Sequence, residues 1–454
     1  MSTEPRPSTY LFHYPLVENL RQVTRYLTTG IGSNPAAAAN TFSHARTLAG
    51  PQDTFVTINN DTVYSMAQLD LSVGPVRLDT PELGERYFVL QFVDAWTNNI
   101  AYVGTRATGN AAGSFLIVPP GWSGESDLPL IRASTDIVSI VGRFACTGPA
   151  DLPAVHRLQD ATLLTPLDPD PSGRGIPEVA PVVGQAGGSL GNSAEAVSGN
   201  SAEAEAGTEP VAGVEAEAAL FWRQAEAWAA RFPVPEADAA LAAEYPIPAP
   251  DLYTETFTQG VADLELATTT GDAPFYNGWG VGMHLFDYNV HVLGLGTVAD
   301  PRWLTTDPDR RILDRAISCR LGLWGNHAYE AVYAQAFTDI TGAPLEGTST
   351  YRIHFPDRPP VGAFWSITLY DIPRYYLVDN PIDRYSIGDR TAGLHVGPDG
   401  SLDVILSHTE PTDPEARANW LPTPAERFRL VMRFYIPGSE ILDETYAYPE
   451  IRAL

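Results

Sequence analysis

The stretch YPLVENLRQVTRYL places Leu16, Leu20, Val23 and Leu27 at intervals of four, three and four residues. That spacing is one face of an amphipathic helix, with Pro15 in its first turn. From about residue 42 the period changes. ERYFVLQFVDAW, GSFLIVPPGW and DIVSIVGRFAC are short aromatic and β-branched runs separated by Gly, Pro, Asn and Asp, the pattern of strands in a sandwich or barrel. Helical spacing returns in LFWRQAEAWAARF, where Phe221, Ala225, Trp228 and Phe232 share a face. Helix is also expected in DRRILDRAISCRLGLW and in HAYEAVYAQAF. The C-terminal part reverts to strands, with YRIHF, AFWSITLYD, SLDVILS and RFRLVMRFY. In the last of these Phe428, Leu430, Met432 and Phe434 face a core, and Arg427, Arg429 and Arg433 face outward, as in a half-buried antiparallel strand.

These blocks predict a mainly β protein with α, in which two β-sandwich or jelly-roll-like domains flank a helical segment. The expected divisions are a helical lead-in at 1–41, a first β domain at 42–183, an insertion at 184–218, the helical segment at 219–345 and a second β domain at 346–454. The order is β, α, β rather than alternating βαβ, so no dinucleotide-binding fold is indicated. The 184–218 stretch repeats GNSAEA at 191 and 199 and holds six Glu with no basic or aromatic residue. Such composition cannot bury enough apolar surface to offset ordering entropy, and disorder is expected there.

Charge narrows the function classes. With 28 basic and 55 acidic residues, the formal charge of −27 disfavours nucleic acid and anionic membrane surfaces as partners. The expected partner is a small-molecule ligand or substrate, and homo-oligomerisation is left open. The two cysteines, Cys146 and Cys319, allow neither a disulfide framework nor a cysteine zinc site, and both read as buried small hydrophobes. The N-terminus lacks the basic start and apolar core of a secretory signal, and no apolar run reaches spanning length. A cytoplasmic location is expected. All 28 basic residues are Arg, so Schiff-base chemistry on a lysine, including pyridoxal-phosphate anchoring, is excluded.

The most unusual stretch is TINNDTVYS, residues 57–65. Asn59, Asn60 and Asp61 have turn chemistry, yet three oxygen-bearing side chains in a row also suit a polar ligand or a hard cation. Tyr64 is expected to pack behind them. His327 and Glu330, three apart, would pair on a helix as a base and its orienting carboxylate, and His44 lies shortly before the Asn-Asn-Asp corner. His284, Asp287 and His291 would align on a helix as weak metal candidates, together with Asp61. No cofactor is required by the sequence, and a divalent metal is compatible with it. Arg106, Arg384 and Arg390 suit a ligand carboxylate or, equally, loop-pinning ion pairs. Trp365 and Tyr370 could line a cleft, whereas Ser366, in a strand pattern, reads as packed. Nucleophile elbows, phosphate-binding loops and His-Glu-x-x-His motifs are absent from the sequence.

INNDTVYSMAQLDLSVGPVRL, RYFVLQFVDAWTNNIAYVGTRATG and GSFLIVPPGW resemble the domain-of-unknown-function family 1254. LWGNHAYEAVYAQAFTDITGAPLEG, PPVGAFWSITLYD, NPIDRYSIGDRT, DGSLDVILS and ANWLPTP resemble family 1214. The resemblance implies two β-sandwich domains with a helical segment between or beside them, and little about activity. The residues themselves favour an enzyme acting on a small organic molecule by acid–base chemistry, of hydrolase, lyase or isomerase type. Asp61 and His327 are expected to do the proton chemistry in an interdomain cleft. The alternative is a non-catalytic small-ligand or carbohydrate-binding protein.

Overall fold

Ser8 accepts a hydrogen bond from the Leu11 N–H and starts the first helix, Thr9–Thr28, in a computed structural model that describes residues 7–53, 57–168, 173–180, 210–269 and 274–454. Leu16, Leu20 and Val23 are fully buried along that helix. Pro15 lies inside the helix rather than in its first turn, because the helix begins at Thr9, five residues before the periodic stretch. Nearly every side chain from Tyr10 to Leu20 is buried, so the amphipathic stripe widens into an all-round interface.

Four β-sheets form two groups, with a helical segment between them. In the first group a five-stranded antiparallel sheet runs Phe42–His44, Thr62–Asp70, Ile137–Ala145, Phe88–Asp94 and Asn99–Gly104 in spatial order. A four-stranded sheet orders Leu130–Arg132, Gly113–Val118, Val76–Thr80 and Leu163–Pro166. One face of the larger sheet (Val63, Leu90, Phe92, Ile140, Phe144) shares an apolar cluster with Val76, Leu78, Phe115 and Ile117 of the smaller one.

The second group repeats this plan. A six-stranded sheet orders Phe275–Tyr276, Trp279–Val281, Ala331–Ala336, Phe428–Pro437, Val361–Asp371 and Ser386–Gly388. A four-stranded sheet orders Trp420–Pro422, Leu402–Ser407, Tyr351–Phe355 and Ile451–Ala453. Leu430, Met432, Phe434 and Ile367 meet Ile353, Val404 and Leu406 in one core. The first helix, Pro210–Arg231, Tyr253–Thr269 and Pro308–Gly322 share a third, aromatic-rich core, in which Phe12 stacks on Tyr245 and Tyr10 on Phe221.

Three expectations are corrected. Residues 210–218, assigned to the insertion, belong to the Pro210–Arg231 helix, and Ala218 is fully buried; the rest of the insertion, 184–209, lies outside the described residues. HAYEAVYAQAF is not helical. His327–Glu330 form a turn and Ala331–Ala336 is a strand paired with Phe428–Pro437, because Val332, which is β-branched, and the aromatic Tyr333 both suit a strand, and Val332 faces Phe434 across the pair. The second β group therefore reaches back into the 219–345 segment. It also takes the Phe275–Tyr276/Trp279–Val281 hairpin, closed by Asn277 and Gly278 at φ of 53° and 92°; two left-handed positions suit Asn-Gly. Finally, Arg427 is exposed as expected, but Arg429 and Arg433 are buried at 7 % and 3 % exposure. Among the described residues, no helix is long and apolar enough to cross a membrane.

If the alternation along Phe428–Pro437 sets the core, Leu430→Ala should destabilise by about 2–5 kcal/mol, the range for a fully buried leucine. Leu266→Ala, on an exposed helix face, should stay within about 0.5 kcal/mol of the parent. Urea denaturation of both variants measures the contrast.

Candidate functional site

The Asn59–Asp61 corner is both a turn and a junction. Asn59 Oδ1 accepts the Asp61 N–H, closing a local Asx-type turn. Its Nδ2 donates to Thr62 Oγ1 at 3.0 Å and to the Tyr435 hydroxyl at 2.7 Å. Asp61 is 4 % exposed. One carboxylate oxygen accepts from the Ser366 hydroxyl at 2.6 Å and from the Tyr435 hydroxyl at 3.2 Å. Its backbone carbonyl accepts from Arg390 Nη2 at 3.0 Å, and that guanidinium lies 3.4 Å from the centre of the Phe364 ring. Asn60 turns aside, donating to the Ala49 carbonyl and accepting from Ser386 at 3.4 Å.

Sheet register explains why these groups meet. Tyr333, Arg433 and Ser366 are direct cross-strand neighbours on the six-stranded sheet, on the face turned away from its apolar core. Arg433 donates to Thr368 Oγ1 and the Tyr370 hydroxyl, each at 2.9 Å, and to the Thr57 carbonyl at 3.1 Å. Tyr370 in turn donates to the Ile58 carbonyl at 2.7 Å. On the five-stranded sheet, Tyr64 and Arg143 are cross-strand neighbours, with the guanidinium 5.6 Å from the ring centre. Arg143 donates to Gln91 Oε1 and the Trp324 carbonyl at 2.9 Å, and to Asn326 Oδ1 at 3.4 Å. Asn326 also donates to the Tyr333 hydroxyl at 3.3 Å. Tyr64 and Tyr333 are half-buried where most of their neighbours are closed off.

A second buried cluster adjoins the first. Glu330, 1 % exposed, accepts from the Tyr87 hydroxyl at 3.0 Å and pairs with Arg106 Nε at 2.5 Å. Burial raises its carboxyl above the ordinary range even with Arg106 beside it. The Tyr87 ring lies 5.5 Å from Tyr435, which links this cluster to Asp61. His327 does not pair with Glu330: the turn directs its Nδ1 to the Tyr102 hydroxyl at 2.9 Å and stacks its ring on Tyr329. Burial, reinforced by Arg106, drives His327 down to about 3.

The remaining candidates disperse. His44 bonds Ser65 at 2.8 Å, and burial, with Arg46, lowers it to about 4. Arg384 holds the Ala418 and Trp420 carbonyls. Trp365 points to the apolar core, 4.7 Å from Phe355, and borders a cavity of about 230 Å³ that Asp389 and Arg358 also line. Residues 284–291 are not helical; His284 pairs with Asp287 at 2.6 Å, while His291 faces Asp238 at 3.5 Å. Among the described residues no three His, Cys, Asp or Glu side chains are grouped to hold a metal ion. His44, Asp61, His327 and Arg384 thus occupy four separate sets of contacts.

Residues 39–166 match the family described as Protein of unknown function (DUF1254), and residues 330–439 match DUF1214. The two matches lie in that order, N-terminal and C-terminal. The VPA0106 protein from Vibrio parahaemolyticus is similar in fold over 98 % of each chain, with a TM-score of 0.66 at 21 % identity. A putative uncharacterized protein from Burkholderia cenocepacia aligns at a TM-score of 0.45 and 12 % identity, over 98 % of this chain and 88 % of that one. No curated protein matches the chain. The polar centre straddles the two matched regions. Asn59, Asp61, Tyr64 and Arg143 come from the DUF1254 region, and Ser366, Arg433 and Tyr435 from the DUF1214 region.

Arg143, Ser366, Arg433 and Tyr435 were not among the sequence candidates. Ser366, Arg433 and Tyr435 lie in strands whose alternate residues are apolar; in that pattern Arg433 reads as solvated and Ser366 as packed. The one available signal was the density of Arg, Tyr, Ser and Thr on those faces, which exceeds what a merely wet surface needs.

His327 offers a test of its surroundings. The folded state holds it neutral down to about pH 3, against an ordinary value of 6.5. Below about pH 6.5 the unfolded chain takes up a proton that the folded chain refuses, so this contribution is complete above that value and lost as pH falls toward 3. His327→Asn, which retains a partner for Tyr102, should remove up to about 1.4 kcal/mol per pH unit from the acid-side slope of stability between pH 6 and 4. Parallel slopes for parent and variant in urea titrations would refute the assignment.

Proposed function

We propose that the chain is an enzyme acting on a small organic molecule by acid–base chemistry, of hydrolase, lyase or isomerase type. Its site is the polar centre between the two sheet groups, each of which we take to be a β-sandwich. The observation that carries this reading is the Asp61 carboxylate, held away from water with a serine and a tyrosine hydroxyl on a single oxygen. A carboxylate so placed can accept a proton from Ser366 or from a substrate group that displaces it. The Tyr435 hydroxyl and the nearby Arg433 guanidinium are positioned to stabilise negative charge that develops next to them, an effect strengthened where water is excluded. Half-buried Tyr64 and Tyr333 would admit the substrate. A non-catalytic small-ligand or carbohydrate-binding role is favoured instead by the cavity of about 230 Å³ lined by Phe355, Trp365 and Leu402 together with Asp357, Arg358 and Asp389, a mixed lining that does not include Asp61.

A panel of small chromogenic esters and lactones, with proton-exchange assays on small carbonyl acids, tests the reading. Once a turned-over compound is found, Asp61→Asn and Ser366→Ala should each lower kcat by roughly a hundredfold or more. Ser366→Ala should cost only about 1 kcal/mol of stability, since it removes one hydrogen bond and leaves the Tyr435 donor in place. A folded Asp61→Asn variant with unchanged turnover would sink the proposal.

A further inference from the structure

Arg429 is a buried cation whose surroundings do not balance it. It is 7 % exposed, yet its described contacts are with neutral groups: Nη1 donates to Gln335 Oε1 at 2.9 Å, and Nη2 to the Thr57 hydroxyl. Its Nε has no partner among the described residues. Other buried arginines are better matched. Arg311 is clamped by both oxygens of Asp238, at 2.9 and 3.0 Å, and Arg433 lies in the field of Asp61. Burial, with repulsion from Arg433, pushes the Arg429 guanidinium down to about 10.

The flat faces of Arg429 are occupied by aromatic rings, with Tyr375 4.0 Å, Phe337 5.6 Å and Tyr370 5.7 Å from its central carbon. The open need is therefore at the edge that carries Nε and Nη2, the edge that binds a carboxylate side-on through two parallel bonds. Thr57 at this edge and Tyr375 on the face both hold left-handed backbone, at φ 59° and 60°. For β-branched Thr57 that is a strained conformation, of the kind that gathers at ligand sites. Thr57, Gln335 and Tyr375 are half-buried and Phe337 is 37 % exposed, so the aromatic wall reaches solvent.

We infer that the Nε–Nη2 edge of Arg429, with the Thr57 hydroxyl beside it, binds the carboxylate of a small organic acid whose apolar body lies against Phe337 and Tyr375. Arg429 and Arg433 are four residues apart on one strand face, roughly 13 Å, and Arg433 adjoins both Thr57 and Asp61. As a substrate site, the inference rests on the acid–base reading of that same face. As a binding site it stands by itself.

Isothermal titration of the full chain with benzoate and with benzamide, its uncharged isostere, is the test. Benzoate should bind about tenfold or more tightly than benzamide, the scale of a charge-assisted pair, and should weaken with added salt. Arg429→Gln should abolish the preference. If that variant does not fold, the position of soaked benzoate in crystals of the parent decides, and benzoate lying anywhere but on Arg429 overturns the inference. Equal binding of the two probes, binding of neither, or a preference that survives Arg429→Gln also overturns it. A preference that depends on Arg429, joined to turnover that ignores Asp61→Asn, would leave the carboxylate site standing and remove the catalytic reading. The reverse pattern would do the opposite.

Discussion

A carboxylate buried as deeply as Asp61 is tolerated only where donors and positive charge replace the water it has left. Asn59 Oδ1 takes up only its backbone N–H; the two hydroxyls on its carboxylate, the guanidinium on its carbonyl and a buried cation whose field it shares belong to Ser366, Tyr435, Arg390 and Arg433. All four are more than 300 residues away in sequence, on the other sheet group. The corner that leads into the Thr62–Asp70 strand of the first group is thus completed by the outer face of the second. Hydrogen bonds of fixed direction give this junction an orientation that apolar contact alone would leave loose.

Each of the two large sheets divides its chemistry between its faces. One face is almost wholly apolar and packs on the smaller sheet of its own group; the other carries Tyr64, Arg143 and Gln91, or Tyr333, Arg433, Ser366 and Tyr370. Apolar faces provide the non-directional stabilisation of each group. The polar faces meet across a region largely closed to solvent, where electrostatic effects are stronger than in water. Stability and chemistry are thereby assigned to opposite sides of the same strands. A residue shifted by one position along Phe428–Pro437 would exchange core for site.

The helical segment joins this arrangement through its own core and through Trp324 and Asn326, just after the Pro308–Gly322 helix. The Trp324 carbonyl and the Asn326 side chain both hold Arg143, while the Trp324 indole N–H donates to Asn19 of the first helix at 2.8 Å. Packing of the helices therefore bears directly on where that guanidinium sits.

Much of the fold was legible because local pattern and burial agree. The four-three spacing of Leu16, Leu20 and Val23, and the alternation of Phe428, Leu430, Met432 and Phe434, each state which side is dry. The Asn59–Asp61 corner was legible as a turn because its own side chains close it. HAYEAVYAQAF was misread because a six-residue strand with half-exposed Tyr333 and Gln335 also fits helical spacing, and only the waiting edge of Phe428–Pro437 selects the sheet. What the sequence by itself determined is which residues are apolar on which face of which strand, since period and side-chain chemistry are local properties. What covers the polar faces is not local. Arg429 and Arg433 alternate as solvated residues would, and only the docking of residues 57–61 onto them, through long-range hydrogen bonds, turns a wet surface into a buried, charged centre.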